Sequence, residues 1–199
     1  MFNVAQPYRK QLIIDGDSLF ARGNGNATAV FEAPIALYNA LTGARPPIFM
    51  YAVNGKSIAQ LISDFPTKIA PFIRKGDIVV MNETTNSLNT LQSASLTFDD
   101  LLDYRDLVWN LEAKIVVGTM TARGTGYVGI ETDRLALNTL ITNNVSEFDK
   151  VCDVGGLSEF NSVAATASTT YYDADTLHFK TAGYNLYGQT FASKVQELL

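Results

Sequence analysis

Cysteine and histidine are nearly absent from this chain: among its 199 residues there is one of each, Cys152 and His178. A lone cysteine excludes an internal disulfide, and a lone histidine excludes the usual multi-histidine zinc cluster. No metal and no cofactor are expected. Cys152 lies in the apolar stretch "DKVCDVG", where it reads as a small buried residue rather than a reactive thiol. Long apolar runs are missing too. None approaches the roughly 20 residues that span a bilayer, so membrane insertion is not expected. The amino terminus also lacks the charged and then apolar pattern of a secretory signal. Basic residues are in deficit, with 15 Lys and Arg against 20 Asp and Glu and a formal net charge of -5. They are scattered, whereas a surface that neutralises phosphates needs them clustered; nucleic acid is not an expected partner. There is no internal repeat, low-complexity tract or linker, and "GARPP" at 43–47 reads as a turn. A chain of this length, 47% hydrophobic, supports one substantial core, and a single domain over 1–199 is expected.

What is present is an alternation. Short β-rich runs occur at 11–15, 48–53, 77–81, 114–119 and 150–154, and segments with helical spacing lie between and after them. In "TFDDLLDYRDLVWNLEA", Phe98, Leu101, Leu102, Val108 and Trp109 share one helical face, interrupted by Arg105. Pro34, Pro66 and Pro71 fall inside helical patterns, so the first two helices are expected to start late, kink or break there. Each parallel strand pair requires a crossover, and a helix supplies it. The expected fold is therefore α/β, a three-layer α/β/α sandwich around a five-stranded parallel sheet. Ligands of such sheets bind beyond the carboxyl ends of the strands.

The first strand runs into Gly16-Asp17-Ser18-Leu19 at that edge, which makes Ser18 a candidate nucleophile. A serine hydroxyl is weakly nucleophilic at neutral pH; it needs a base, and the base needs an orienting group. The only histidine, His178, stands just before the last helical segment with Asp175 three residues ahead of it. On a tight loop that spacing sets a carboxylate against one imidazole nitrogen and leaves the other for a serine brought from elsewhere. Asp173 is the alternative acid, at a less suitable spacing. Asp17 reads as support for the turn. Each of these residues also has a plain reading as a cap or turn residue; the combination is what points to catalysis.

In these residues the chain resembles the SGNH, or GDSL, hydrolase family, over nearly its whole length. Gly16, Asp17, Ser18 and Leu19 reproduce that family's first motif, and Asp175 and His178 match its Asp-x-x-His before the last helix. The resemblance implies an SGNH hydrolase fold with a flavodoxin-like sheet, a Ser18, His178 and Asp175 triad, and no cofactor. It further implies an oxyanion hole formed by the N–H groups of Ser18 and of Gly55, after the second strand, and by the side chain of Asn86, after the third. The third block departs from the family pattern. Thr84 stands for the expected glycine and Ser87 for the expected acid, and Asn82 and Asn89 are rivals of Asn86.

The function expected on this resemblance is that of a serine esterase removing acetyl or other short acyl groups from carbohydrate. A lysophospholipase or thioesterase, and a non-catalytic glycan-binding domain of a larger protein such as a phage tail, are the alternatives. Segments 21–28, 119–131 and 155–175 are expected to rim the pocket; their Gly, Ser, Thr, Asn and Tyr content suits a hydrated sugar better than a long alkyl chain. Asp175 is expected to raise the pKa of His178 above its ordinary value near 6.5.

Overall fold

The computed structural model describes residues 9–23, 30–90 and 92–199. Five strands form one sheet: β1 (Leu12–Gly16), β2 (Ile48–Met50), β3 (Ile78–Asn82), β4 (Lys114–Gly118) and β5 (Lys150–Cys152). All neighbouring pairs are parallel, in the order β2-β1-β3-β4-β5. β2 ends before its apolar run does, although Tyr51 N–H and Val53 N–H still donate to the carbonyls of Ile14 and Gly16 at 2.8 and 3.0 Å. As an edge strand it is half exposed, whereas β1 and β3 are buried throughout, as their unbroken apolar runs require.

Seven α-helices accompany the sheet among the described residues: α1 (Ser18–Ala21), α2 (Glu32–Ala40), α3 (Ile58–Lys68), α4 (Thr85–Asn89), α5 (Ala94–Trp109), α6 (Glu131–Asn143) and α7 (Thr181–Gln196). The pleat of the strands sorts the core into two layers. Leu12, Ile14, Val80 and Val116 face one side and pack with Leu19, Phe20, Leu37, Tyr187 and Phe191 of α1, α2 and α7. Ile13, Val79, Met81, Ile115 and Val117 face the other and pack with residues of α3, α5 and α6, including Leu61, Leu101 and Leu137. This is the expected three-layer α/β/α sandwich. α7 sits so close on α2 that a Cβ at Gly188 would lie 2.1 Å from the carbonyl oxygen of Ala33, so only glycine permits the approach.

The proline positions behave as their chemistry requires. α2 takes Pro34 in its first turn, where the missing N–H costs little, and α3 ends two residues beyond Pro66, giving way to a 3-10 turn at Ala70–Phe72 that contains Pro71. One helical face is corrected. In α5 it is Arg105 that is buried, and Trp109 that is 38% exposed. The guanidinium of Arg105 pairs with Glu147 and Asp106 and lies 4.7 Å from the Trp109 ring centroid, so paired charge and ring cover each other at the rim of the layer. Cys152 is 1% exposed, and burial pushes its thiol far above the ordinary range. Among the described residues no helix is long and apolar enough to cross a membrane.

Candidate active site

In a sheet of this order the winding reverses between β1 and β3, the switch point at whose carboxyl edge ligands of such sheets bind. β1 ends at Gly16, whose φ is +148°. A Cβ there would stand 2.4 Å from the carbonyl oxygen of Asn82, so glycine alone lets β1 pass so near the end of β3. The chain then turns into α1. Asp17 caps it, its Oδ1 accepting from Leu19 N–H at 2.8 Å, and Ser18 is left 6% exposed at the start of the helix.

The histidine arrives from a turn closed by its own backbone. Tyr172 and Phe179 form an antiparallel bridge, and Asp173 N–H donates to the carbonyl of His178 at 2.8 Å. Within that turn Asp175 Oδ1 accepts from the N–H groups of Leu177 and His178 at 3.0 and 2.9 Å. Its Oδ2 is thereby aimed at the imidazole, 2.6 Å from Nδ1, and His178 Nε2 lies 2.9 Å from Ser18 Oγ. With a proton on Nδ1 given to Asp175, Nε2 is the acceptor for the serine hydroxyl. The structure thus brings Ser18, His178 and Asp175 together in one hydrogen-bonded chain. It leaves Asp173 out, since that carboxylate accepts from Ala174 N–H instead.

Asn86 opens the third side. It lies in α4, immediately beyond β3, and its Nδ2 donates to the carbonyl of Lys56 at 2.9 Å and to Asp17 Oδ2 at 3.3 Å. One amide therefore ties together the loops after β1, β2 and β3. Of its rivals, Asn82 is buried against the Tyr187 hydroxyl and Asn89 is exposed. Gly55 occupies the turn beside Lys56 with a φ of +76°, and a side chain there would be strained. The altered block has its own logic. Glu83 Oε1 accepts from the N–H groups of Asn86 and Ser87 at 2.6 and 3.4 Å, and the Ser87 hydroxyl donates to Oε2 at 2.7 Å while accepting from Ile58 N–H at 3.1 Å. The acidic group of this block is thus Glu83, bonded to the backbone and the hydroxyl of residue 87.

Sequence reasoning missed Glu83, Arg22 and Arg123. Arg123 is 4% exposed, donates to the carbonyl of Thr85 at 3.1 Å, and lies close enough to Asp17 and His178 to bias both. Asp17 and Glu83 are both buried, and desolvation raises both pKa values; the charge of Asp17 raises Glu83 further. Desolvation likewise pushes Asp15, bonded to the Tyr104 hydroxyl at 2.7 Å, up to about 6. Of the expected rim, residues 24–28 lie outside the described residues. Segment 119–131 meets the histidine turn through Gly124 N–H, which donates to the carbonyl of Thr176 at 2.8 Å. Among the described residues no group of three or more His, Cys, Asp or Glu side chains is arranged to hold a metal ion.

The expected rise in the His178 pKa is overturned. Burial of the ring is the largest influence and lowers it; Asp175 raises it, but the cations Arg22 and Arg123 lower it again. A base must be neutral to accept a proton, so a lowered pKa extends its working range downward. For ester hydrolysis, kcat/KM is expected to rise with pH on a limb whose midpoint lies below 6.5. A pH profile with p-nitrophenyl acetate checks this, and a midpoint above 6.5 would contradict the assigned surroundings of the ring.

Neither a protein-family model nor a curated protein matches the chain. Solved structures do. A lipase/acylhydrolase from Enterococcus faecalis superposes with a TM-score of 0.69 at 14% identity, over 94% of this chain and 96% of that one. A member of the lipolytic G-D-S-L family from Veillonella parvula gives 0.71 at 14%, over 91% and 95%. A variant of Axe2, an acetyl-xylooligosaccharide esterase from Geobacillus, gives 0.69 at 13%, over 94% of each chain. The fold is that of the GDSL, or SGNH, hydrolases.

Proposed function

We propose that the protein is an SGNH-type serine esterase that removes short acyl groups, acetyl foremost, from carbohydrate. The observation that carries this reading is the unbroken chain from Ser18 Oγ through His178 to Asp175, with links of 2.9 and 2.6 Å, at the carboxyl edge of the sheet just beyond β1. Ser18 Oγ attacks the ester carbonyl carbon as its proton passes to His178 Nε2, and Asp175 holds the imidazole in the required tautomer and balances the imidazolium. His178 returns the proton to the departing alcohol. It then takes a proton from water, which attacks the acyl-serine, releases the acid and restores Ser18.

Negative charge develops on the carbonyl oxygen in both steps. The N–H groups of Ser18 and Gly55 and the Asn86 amide are its donors in this reading. Asn86 engages both its amide hydrogens at rest, but the link to Asp17 is long, at 3.3 Å, and that hydrogen is the one available to turn toward the oxyanion. Asn86→Ala is therefore expected to lower kcat by about 10²- to 10³-fold with a smaller change in KM. A fall confined to KM, measured with p-nitrophenyl acetate, would remove Asn86 from this role.

The acyl preference rests on the polar composition of segments 119–131 and 155–175, and the likeness to an acetyl-xylooligosaccharide esterase supports it. p-Nitrophenyl esters should be cleaved fastest as the acetate and far more slowly as the octanoate, and acetylated oligosaccharide should release acetate. A rate that climbs with chain length would point instead to an apolar channel, since each buried methylene contributes about 0.8 kcal/mol.

A further inference from the structure

Arg22, partly buried beside His178, is not paired as Arg134 and Arg105 are. Arg134 is satisfied by both oxygens of Glu131 and by the carbonyls of Met120 and Asn161, and Arg105 is paired with Glu147 and Asp106. Arg22 makes no ion pair with a carboxylate among the described residues. Its Nη1 lies 2.9 Å from Nδ1 and 3.0 Å from Nε2 of His178, and its buried Nε has no acceptor. Those imidazole nitrogens already direct their in-plane positions to Asp175 and Ser18. The guanidinium therefore finds no lone pair there and rests against the ring as a bare cation. Its backbone is fixed beside the nucleophile, since Arg22 N–H donates to the carbonyl of Ser18 at 2.9 Å.

This placement opposes the reaction as it stands. The imidazole must become an imidazolium during acyl transfer, and a guanidinium at about 3 Å raises the energy of that state. Among the described residues the groups that bear on the His178 ring are Asp175 on its own turn, Ser18 and Arg22 at and just beyond α1, and Arg123 from the β4 to α6 segment. Among the described residues Asp175 is the only carboxylate bonded to the ring. An anion brought by the substrate would supply what Arg22 lacks: it would satisfy the fork, draw its charge off the ring and let the imidazolium form.

Resting on the esterase reading above, we propose that Arg22 is the receptor for a carboxylate on the alcohol part of the substrate, so that the preferred esters are O-acyl groups on acidic sugars. The acid group lies near the ester, because Arg22 is only four residues beyond Ser18 and touches its base. Neutral esters enter the same site but leave the guanidinium on the ring.

The test compares O-acetylated galacturonic acid oligosaccharides with O-acetylated xylo-oligosaccharides and p-nitrophenyl acetate, on the whole chain and on Arg22→Ala and Arg22→Lys. The intact protein should favour the acidic ester in kcat/KM by at least about 10-fold, a preference that weakens with salt. Arg22→Ala should lose about 10- to 100-fold on the acidic ester, chiefly in KM. On the neutral ester it should gain in rate, with the acid limb of its pH profile moved upward, and Arg22→Lys should keep part of the preference. Equal losses on acidic and neutral esters in folded variants would make Arg22 structural and overturn the proposal. So would turnover of neutral esters with no preference for the acidic one, which leaves the esterase reading intact. A folded protein that cleaves none of these esters and whose Ser18 resists a fluorophosphonate overturns that reading itself.

Discussion

Ser18→Ala is expected to lower kcat for p-nitrophenyl acetate by about 10⁴- to 10⁶-fold while leaving the fold intact. The substitution removes one oxygen, which is hydrogen-bonded to His178 Nε2. The turn around it is held by other groups. Asp17, not Ser18, caps α1, and the close passage of β1 over β3 depends on Gly16. The loss should therefore appear in turnover and not in the circular dichroism spectrum or the melting temperature. Retention of more than about 1% of the rate by a clean, folded Ser18→Ala protein would exclude Ser18 as nucleophile.

Asp175→Asn is expected to cost about 10⁴-fold in kcat, somewhat less than loss of the serine. Asparagine keeps an oxygen for the N–H groups of Leu177 and His178, so the turn survives. It presents an NH₂ to Nδ1, however, and a donor there forces the imidazole proton onto Nε2, where it faces Ser18 Oγ and blocks its deprotonation. Asp173→Asn provides the comparison. Among the described residues its carboxylate accepts from Ala174 N–H only, and its backbone N–H, which closes the turn, is untouched by the change. An effect below about fivefold is expected there. A larger loss from Asp173→Asn than from Asp175→Asn, measured as kcat at saturating ester, would mean that the wrong acid orients His178.

What the sequence made legible was local or periodic. The alternation of apolar runs and helical spacings gave the layers and the parallel sheet, because burial on both faces leaves an unbroken apolar strand and crossovers leave few alternatives. Asp175 and His178 could be paired from a spacing of three, since one turn closes on itself. Ser18 could be placed because it follows the first strand at the turn into the next element. The rest depends on long-range packing. Glu83 lies just beyond the third apolar run, and only the folded loop shows its carboxyl group bonded to Asn86 and Ser87. Arg22 and Arg123 sit in polar, glycine-rich stretches that read as solvated rim, yet the fold turns both toward His178. The same two cations, with the burial of the ring, reverse the pKa direction that Asp175 alone would give. Arg105 and Trp109 exchange places for a related reason: a helical wheel counts apolar residues but cannot foresee that Glu147 arrives to pair a buried guanidinium.

The central claim is that Ser18 is an activated nucleophile, and a fluorophosphonate probe followed by peptide mass mapping tests it most directly, because only a serine with a functioning base is phosphonylated quickly. The account predicts one adduct per chain, on Ser18, formed by the intact protein and lost in His178→Ala. A folded, intact protein that takes up no probe, or that carries the adduct on another residue, would contradict it.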